Sequence, residues 1–265
     1  MPTLANAIWG ARCGKPARRV LLGETSSSGH AYSVRGARES AAPRQAPHGL
    51  PLSRLVSTIL LDEWFQDVVK PRLKGEAYEI RFADDFILCF QYREDAEKVL
   101  EVLHQRFAKY GLQLHPDKTR LIEFGPKALT KSEQGGKKPA TFGFLGFTHI
   151  CAWSQRGYFT IHVRTMRKRF KRSLKAVAAW CRQHRHDPVE EQCEALNRKL
   201  RGHYQYYGRP TNFRSLKEYY RSVRRIWKTW LNRRTRGKTL NWDRYQQLLR
   251  RYPLRLPRIT RAWVS

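Results

Sequence analysis

Acidic residues are scarce in this chain. The sequence holds 22 Asp and Glu against 52 Lys and Arg, a net charge of +30 at pH 7. That balance is too basic for an ordinary soluble enzyme and points to a polyanionic partner. The deficit is uneven. Residues 161–265 carry 29 basic against 6 acidic side chains, and residues 1–160 carry 23 against 16. Long apolar runs are also lacking. None approaches the roughly 18 residues a membrane span needs, so no membrane partner is expected. The N-terminus lacks the apolar core of a signal peptide. The five cysteines (Cys13, Cys89, Cys151, Cys181 and Cys193) form no Cys-x-x-Cys pair. Neither a zinc site nor a disulfide framework is suggested, and reduced thiols in the cytoplasm fit best.

Apolar periodicity is missing from the first 50 residues, where Gly, Ser, Ala, Arg and Pro dominate and only Glu24 and Glu39 are acidic. Residues 1–55 are therefore expected to be a low-complexity leader without stable structure. An RNA-binding arm and a non-functional leader are both compatible with this composition.

Ordered patterning starts near Leu55. Leu55, Val56, Ile59, Leu60, Trp64 and Phe65 follow helical spacing, and Pro71 ends the segment. Tyr78, Ile80 and Phe82 then alternate with Glu79 and Arg81, and Phe86 to Phe90 is continuously apolar. This reads as a β-hairpin with Ala83-Asp84-Asp85 at its tip. Two adjacent carboxylates repel, and burying them is costly. The local pattern leaves two readings, a solvated Asp-rich turn and a site for a divalent metal. Ala96, Val99, Leu100, Leu103, Phe107 and Tyr110 form one apolar stripe, which predicts a helix from Arg93 to a stop at Gly111. Short strands are predicted over Leu112–His115 and Arg120–Phe124, a flexible loop over residues 125–140, and further strands over Thr141–Thr148 and Gly157–Val163. The sum is an α+β layer with helices on one face of an antiparallel sheet.

Beyond Val163 the chain turns helical, basic and aromatic. Helices are predicted over Met166–Cys181, over 190–204, over 215–232 and from Asn241 through Leu249, the last stopped near Pro253 and Pro257. Arg and Lys among Tyr, Trp and His suit RNA or DNA, with phosphates neutralised and unpaired bases stacked. Leu216, Val223, Ile226 and Trp227 read as bundle core. Arg201, His203, Tyr206, Tyr207, Arg209 and Arg214 lie near Gly202, Gly208 and Pro210. They are candidate binding residues, because such residues gather on loops.

Phe82-Ala83-Asp84-Asp85 resembles the Tyr-Ala-Asp-Asp motif of the bacterial group II intron-encoded reverse transcriptase/maturases, with Phe in place of Tyr. Gly111-Leu-Gln-Leu-His-Pro-Asp-Lys-Thr119 is similar to the block after that family's palm helix. Phe142-Gly-Phe-Leu-Gly-Phe147 is similar to its primer-grip block. Leu196 to Gly208, Asn212-Phe213 and Trp230-Leu-Asn-Arg-Arg234 resemble its maturase-specific helical domain. The likeness runs collinearly over about residues 58–260.

The resemblance implies a partial palm over residues 56–163, a thumb-like helical segment over 164–189 and an RNA-binding maturase domain over 190–265. It implies that Asp84 and Asp85 hold Mg²⁺, that Lys118 lies near the incoming nucleotide, and that Phe144, Leu145 and Gly146 position the primer. It places RNA contacts at Arg167, Lys168, Lys171, Arg172, Arg198, Lys199, Arg201, His203, Tyr206, Tyr207, Arg209, Arg214, Arg233 and Arg234. The implied partners are group II intron RNA and a DNA target. The family's third metal-binding Asp and its Pro-Gln-Gly block find no match upstream of Asp62. Asp62, Glu63 and Asp67 fall on the predicted helix, poorly placed to replace that Asp. An N-terminally truncated member follows. Its isolated palm is expected to be inactive and to pair with a second copy through its exposed face. Three functions are carried forward: an intron-RNA-binding maturase fragment, an RNA-directed DNA polymerase if the missing parts are supplied, and an inactive remnant.

Overall fold

The computed structural model describes residues 19–26, 62–82, 85–109, 113–114, 119–234 and 240–260. The chain divides into two compact units. The first comprises residues 1–140 and 151–160, and the second residues 141–150 and 161–265.

The first unit is built on an antiparallel sheet. Strand β1 (Arg19–Ser26) pairs on one side with β3 (Asp85–Phe90), and β3 pairs in turn with β2 (Ala77–Phe82). On its other side β1 pairs with β5 (Arg120–Glu123), and at its end with β4 (Gln113–Leu114). After Asp85, strand β3 is continuously apolar because it is covered on both faces, and Phe86 to Phe90 are all buried. Helix α1 (Arg93–Lys109) lays Ala96, Val99, Leu103 and Phe107 into one core with Phe86, Leu88 and Phe90. Trp64, Phe65 and Val69 join that core from a wide helical turn over Phe65–Val69, which Lys70–Arg72 tighten to 3₁₀. Asp95 on α1 is 3% exposed, and its carboxylate accepts the Lys74 and Gly75 N–H groups at 3.3 and 3.1 Å.

The α+β layering with α1 packed on the sheet agrees with the sequence pattern. Two local expectations do not. An unstructured leader over 1–55 fails at Arg19–Ser26, which forms the strand between β3 and β5. Its Val20-Leu21-Leu22 run, bounded by arginines and Gly23, is a short apolar segment of the kind that enters a sheet interior. The rest of that segment lies outside the described residues. The flexible loop over 125–140 fails at α2 (Pro126–Glu133). Pro126 is set for the first helical position by its fixed φ, and Lys127 to Glu133 contains no further Gly or Pro.

The second unit is not all helical. Strands β6 (Phe142–Phe144), β7 (Phe147–Trp153) and β8 (Phe159–Thr165) make a three-stranded sheet, and residues 141–150 and 161–165 of it belong with the helices. The reason is tertiary hydrogen bonding. Asn212, 0% exposed, accepts the Thr165 N–H at 2.8 Å and donates to Thr165 Oγ1 at 2.9 Å and to the Tyr207 carbonyl at 2.8 Å. Thr211 Oγ1 accepts the Val163 N–H at 3.0 Å.

The helices are α3 (Arg167–Gln183), α4 (Val189–Tyr207), α5 (Phe213–Asn232) and α6 (Trp242–Arg251). Asn241 caps α6 by accepting the Arg244 N–H. Their apolar faces meet in one core that includes Val177, Leu196, Leu216, Val223, Trp227 and Tyr245. The buried Trp227 indole donates to Gln192 Oε1 at 3.0 Å, and Gln192 Nε2 donates to the Asp187 carbonyl at 2.8 Å, so these two buried side chains are paired inside the bundle.

Candidate active site and nucleic-acid interface

The acidic hairpin takes shape from its two strands. β2 and β3 pair in register from Ala77↔Phe90 to Phe82↔Asp85. Asp85 thus opens β3 opposite Phe82, half-buried, while Phe82 is 62% exposed. Ala83 and Asp84 lie outside the described residues, as does Lys118. On the other side of β3 the register sets Glu24 of β1 directly opposite Asp85. A glutamate therefore occupies the register position opposite Asp85. The sequence offered one signal for it, an acidic residue soon after the apolar run Val20-Leu21-Leu22, and the low-complexity surroundings obscured that.

The acids of the first helical turn do not serve this role. Asp62 sits beside β2, with Oδ1 at 3.1 Å from Arg81 Nε. Glu79 lies next to it, and burial first, then the Asp62 carboxylate, pushes its pKa up to about 8. A neutral Glu79 removes the repulsion within that pair. Among the described residues no group of three or more His, Cys, Asp or Glu side chains is arranged to hold a metal ion.

In the second unit the turn Phe144-Leu145-Gly146-Phe147 joins β6 to β7. Leu145 and Gly146 both have positive φ, 48° and 78°, which is the backbone of a tight hairpin turn. Tyr206 donates its hydroxyl to the Leu145 carbonyl at 2.8 Å, and its ring stacks on Phe147 at 5.8 Å. A Cβ at Gly146 would stand 3.0 Å from the Tyr207 hydroxyl. Tyr206 and Tyr207 thus brace the turn.

His203 is also taken up by packing. Its ring lies flat on Tyr219 at 3.6 Å, and burial holds its pKa down at about 4. One face of the imidazole is covered, and the ring is neutral at ordinary pH.

The basic candidates are better exposed. Arg167, Lys168, Lys171 and Arg172 line the outer face of α3, Arg198, Lys199 and Arg201 that of α4, and Arg214 the start of α5. Lys199 stands over the Trp180 ring at 5.3 Å, exposed Arg233 over Trp230 at 4.8 Å, and Arg198 is 3.9 Å from Glu194. Arg209 and Arg234 are half-buried, and Arg234 donates to the His186 carbonyl at 3.2 Å. No described helix is long and apolar enough to cross a membrane.

An antiparallel sheet whose strand β3 opens on Asp85, with a helix packed on that strand, agrees with a partial polymerase palm. The family model for reverse transcriptase (RNA-dependent DNA polymerase) matches residues 13–149, and the chain belongs to that family. The matched span starts inside the segment expected to lie outside the family, and it includes β1. No curated protein matches the chain. Polymerases of this family generally use divalent metal ions. Of the acidic pair, Asp85 is described, and a carboxylate offers the hard oxygens that such an ion takes.

Proposed function

We propose that this protein binds group II intron RNA through its helical unit and assists the splicing of that RNA, on a palm shared with RNA-directed DNA polymerases. The observation that carries the reading is the charge of the helical half, 29 basic against 6 acidic side chains over residues 161–265, with exposed Arg and Lys along α3 and α4 and a paired apolar core beneath. A folded bundle with that surface contacts many phosphates at once, and the maturase-like blocks at Leu196–Gly208 and Trp230–Arg234 direct it to intron RNA. The test compares a group II intron RNA with random-sequence RNA of equal length, by fluorescence anisotropy of the purified full chain. Tighter binding to the intron is expected, with affinity for both falling about a thousandfold between low and moderate salt if six or more phosphates are held. Equal affinity for the two RNAs would leave only generic basic adhesion.

The register of Glu24 against Asp85 favours a second reading, that the chain itself catalyses RNA-directed DNA synthesis. Asp84, Asp85 and Glu24 would hold Mg²⁺, which supplies charge stabilisation at the transferring phosphoryl group. Lys118 would face the nucleotide phosphates, and Phe144, Leu145 and Gly146 the primer end. Templated extension lost in both Asp84→Ala and Glu24→Gln supports this reading. Extension retained in Glu24→Gln removes Glu24 from it.

A further inference from the structure

The segment after α6 does not trail into solvent. Residues 253–260 run extended along α4 and are tied to it through their backbone. Asn197 Nδ2 donates to the Pro253 carbonyl at 3.0 Å, and Asn197 Oδ1 accepts the Arg255 N–H at 2.7 Å. Tyr204 donates its hydroxyl to the Arg255 carbonyl at 3.1 Å. Thr260 N–H donates to the Gly208 carbonyl at 3.0 Å, and Thr260 Oγ1 to the Tyr204 carbonyl at 2.8 Å. Leu254 is 4% exposed, which pins the strap by burial as well. At Gly208 a Cβ would run into Thr260 Oγ1 and the Tyr204 carbonyl, so glycine is what lets the strap lie this close.

Anchoring through the backbone leaves the arginine side chains of the strap exposed. Arg255 and Arg258 join Arg201 of α4 around a cleft of about 420 Å³, with Gln205 and Thr260 in its wall. Among the described residues no carboxylate lines this cleft. Among the described residues none of the three guanidinium groups has an ion-pair partner. Three like charges around one space repel unless an anion joins them. Guanidinium forks match the oxygens of a phosphate two at a time, which a lysine cannot do.

We propose that Arg201, Arg255 and Arg258 form a clamp that grips a backbone phosphodiester of bound RNA. This rests on the reading of the helical unit as RNA-binding. It adds a specific contact made by a segment that the sequence pattern marks only as a stop, at Pro253 and Pro257. The strap fixes the backbones of Arg255 and of the segment through Thr260 before RNA arrives, so less ordering remains to be done on binding.

The test is the anisotropy titration of the full chain carrying R201Q, R255Q and R258Q together, beside wild type and a control with K137Q, K138Q and R156Q, equal in charge removed and exposed on the first unit. The triple variant is expected to bind both intron and random RNA roughly tenfold more weakly, with the salt slope reduced by about one. The control is expected to lose much less. Wild-type affinity in the triple variant, or an equal loss in the control, overturns the clamp. Inorganic phosphate separates the sources of the anion. If it displaces RNA from wild type no better than chloride of equal ionic strength, the clamp takes the diester in its polymer. If it binds wild type but not the triple variant while RNA affinity is unchanged, the cleft is a free-phosphate site and the proposal fails. Equal binding of intron and random RNA by wild type sinks the intron reading alone.

Discussion

Asn212→Ala is expected to destabilise the helical unit by about 3 kcal/mol. Asn212 has 0% exposure, and it joins the end of β8 to the junction of α4 and α5. The substitution leaves the Thr165 N–H without an acceptor at a buried position, which costs about 1–3 kcal/mol. It also removes both donations of the amide, to Thr165 Oγ1 and to the Tyr207 carbonyl. The Tyr207 carbonyl keeps the Arg209 N–H at 2.8 Å, so it adds little to the cost. The small void left by the truncated side chain adds roughly 1 kcal/mol. Urea unfolding of the full chain, followed by far-ultraviolet circular dichroism, measures the change as a lower midpoint with an unchanged slope. Asn212→Asp provides the matched control. It keeps the acceptor for Thr165 but buries a charge, so it should be less stable than the alanine variant near neutral pH and recover in acid, where the carboxyl can donate again. A loss below about 1 kcal/mol in Asn212→Ala, or no acid recovery in Asn212→Asp, would refute the account of this site.

His203 and His149 are both held near pKa 4 by burial, below their ordinary value, so the unfolded chain takes up more protons as pH falls from about 6.5 to about 4. Stability should drop across that window, and His203→Phe, which keeps the stack on Tyr219, should flatten the drop in thermal melts. Glu79 runs the other way. Its folded pKa of about 8 means stability is lost as pH rises from about 4.5 through 8, so Glu79→Gln should raise the melting temperature most above pH 8 and least below pH 5. Gly208→Ala should push the strap off α4, and brief trypsin digestion should then cut after Arg255 and Arg258, which wild type protects. Equal digestion of the two proteins would count against the strap.

Strong periodicity made part of the fold legible in the sequence. The stripe of Ala96, Val99, Leu103 and Phe107 placed α1, and the continuous run Phe86–Phe90 placed a strand buried on both faces. Three features escaped for different reasons. β1 carries only three strong apolar residues amid Gly, Ser and Arg, and it becomes a strand because β3 and β5 offer it partners on both sides. α2 is short and flanked by Gly125 and the Gly135-Gly136 pair, whose turn character masked eight residues without another breaker. The hairpin turn at Leu145 and Gly146 and the end of β8 belong with the helices because Tyr206 bonds Leu145, and Thr211 and Asn212 bond Val163 and Thr165, all distant in sequence. For the candidate site, the local pattern at Asp84–Asp85 left a solvated turn and a metal site both open, and the resemblance of Phe82-Ala83-Asp84-Asp85 to a polymerase motif supplied the metal reading. Glu24 needed the register. Tyr206 and His203 were read as base-stacking candidates because aromatics beside glycines look exposed, but Tyr206 braces the turn and one face of His203 is spent on Tyr219. Arg255 and Arg258 were hidden behind two prolines.

Strand β1 has one further consequence. Among the described residues β4 and β5 join the sheet only through it, and β3 meets them only across it. Arg19 is paired with both Phe90 and Glu123, so β1 must wait for β5 to be synthesised before both of its sides are paired. Its ladder is built from long-range pairs, whose loop-closure cost is met before any contact repays it, and such topologies fold slowly. Until Glu123 has been synthesised, a short apolar segment waits with one side unpaired, the state in which strands recruit other chains. The strand order of this sheet therefore leaves β1 open to other chains during synthesis, whatever its finished stability.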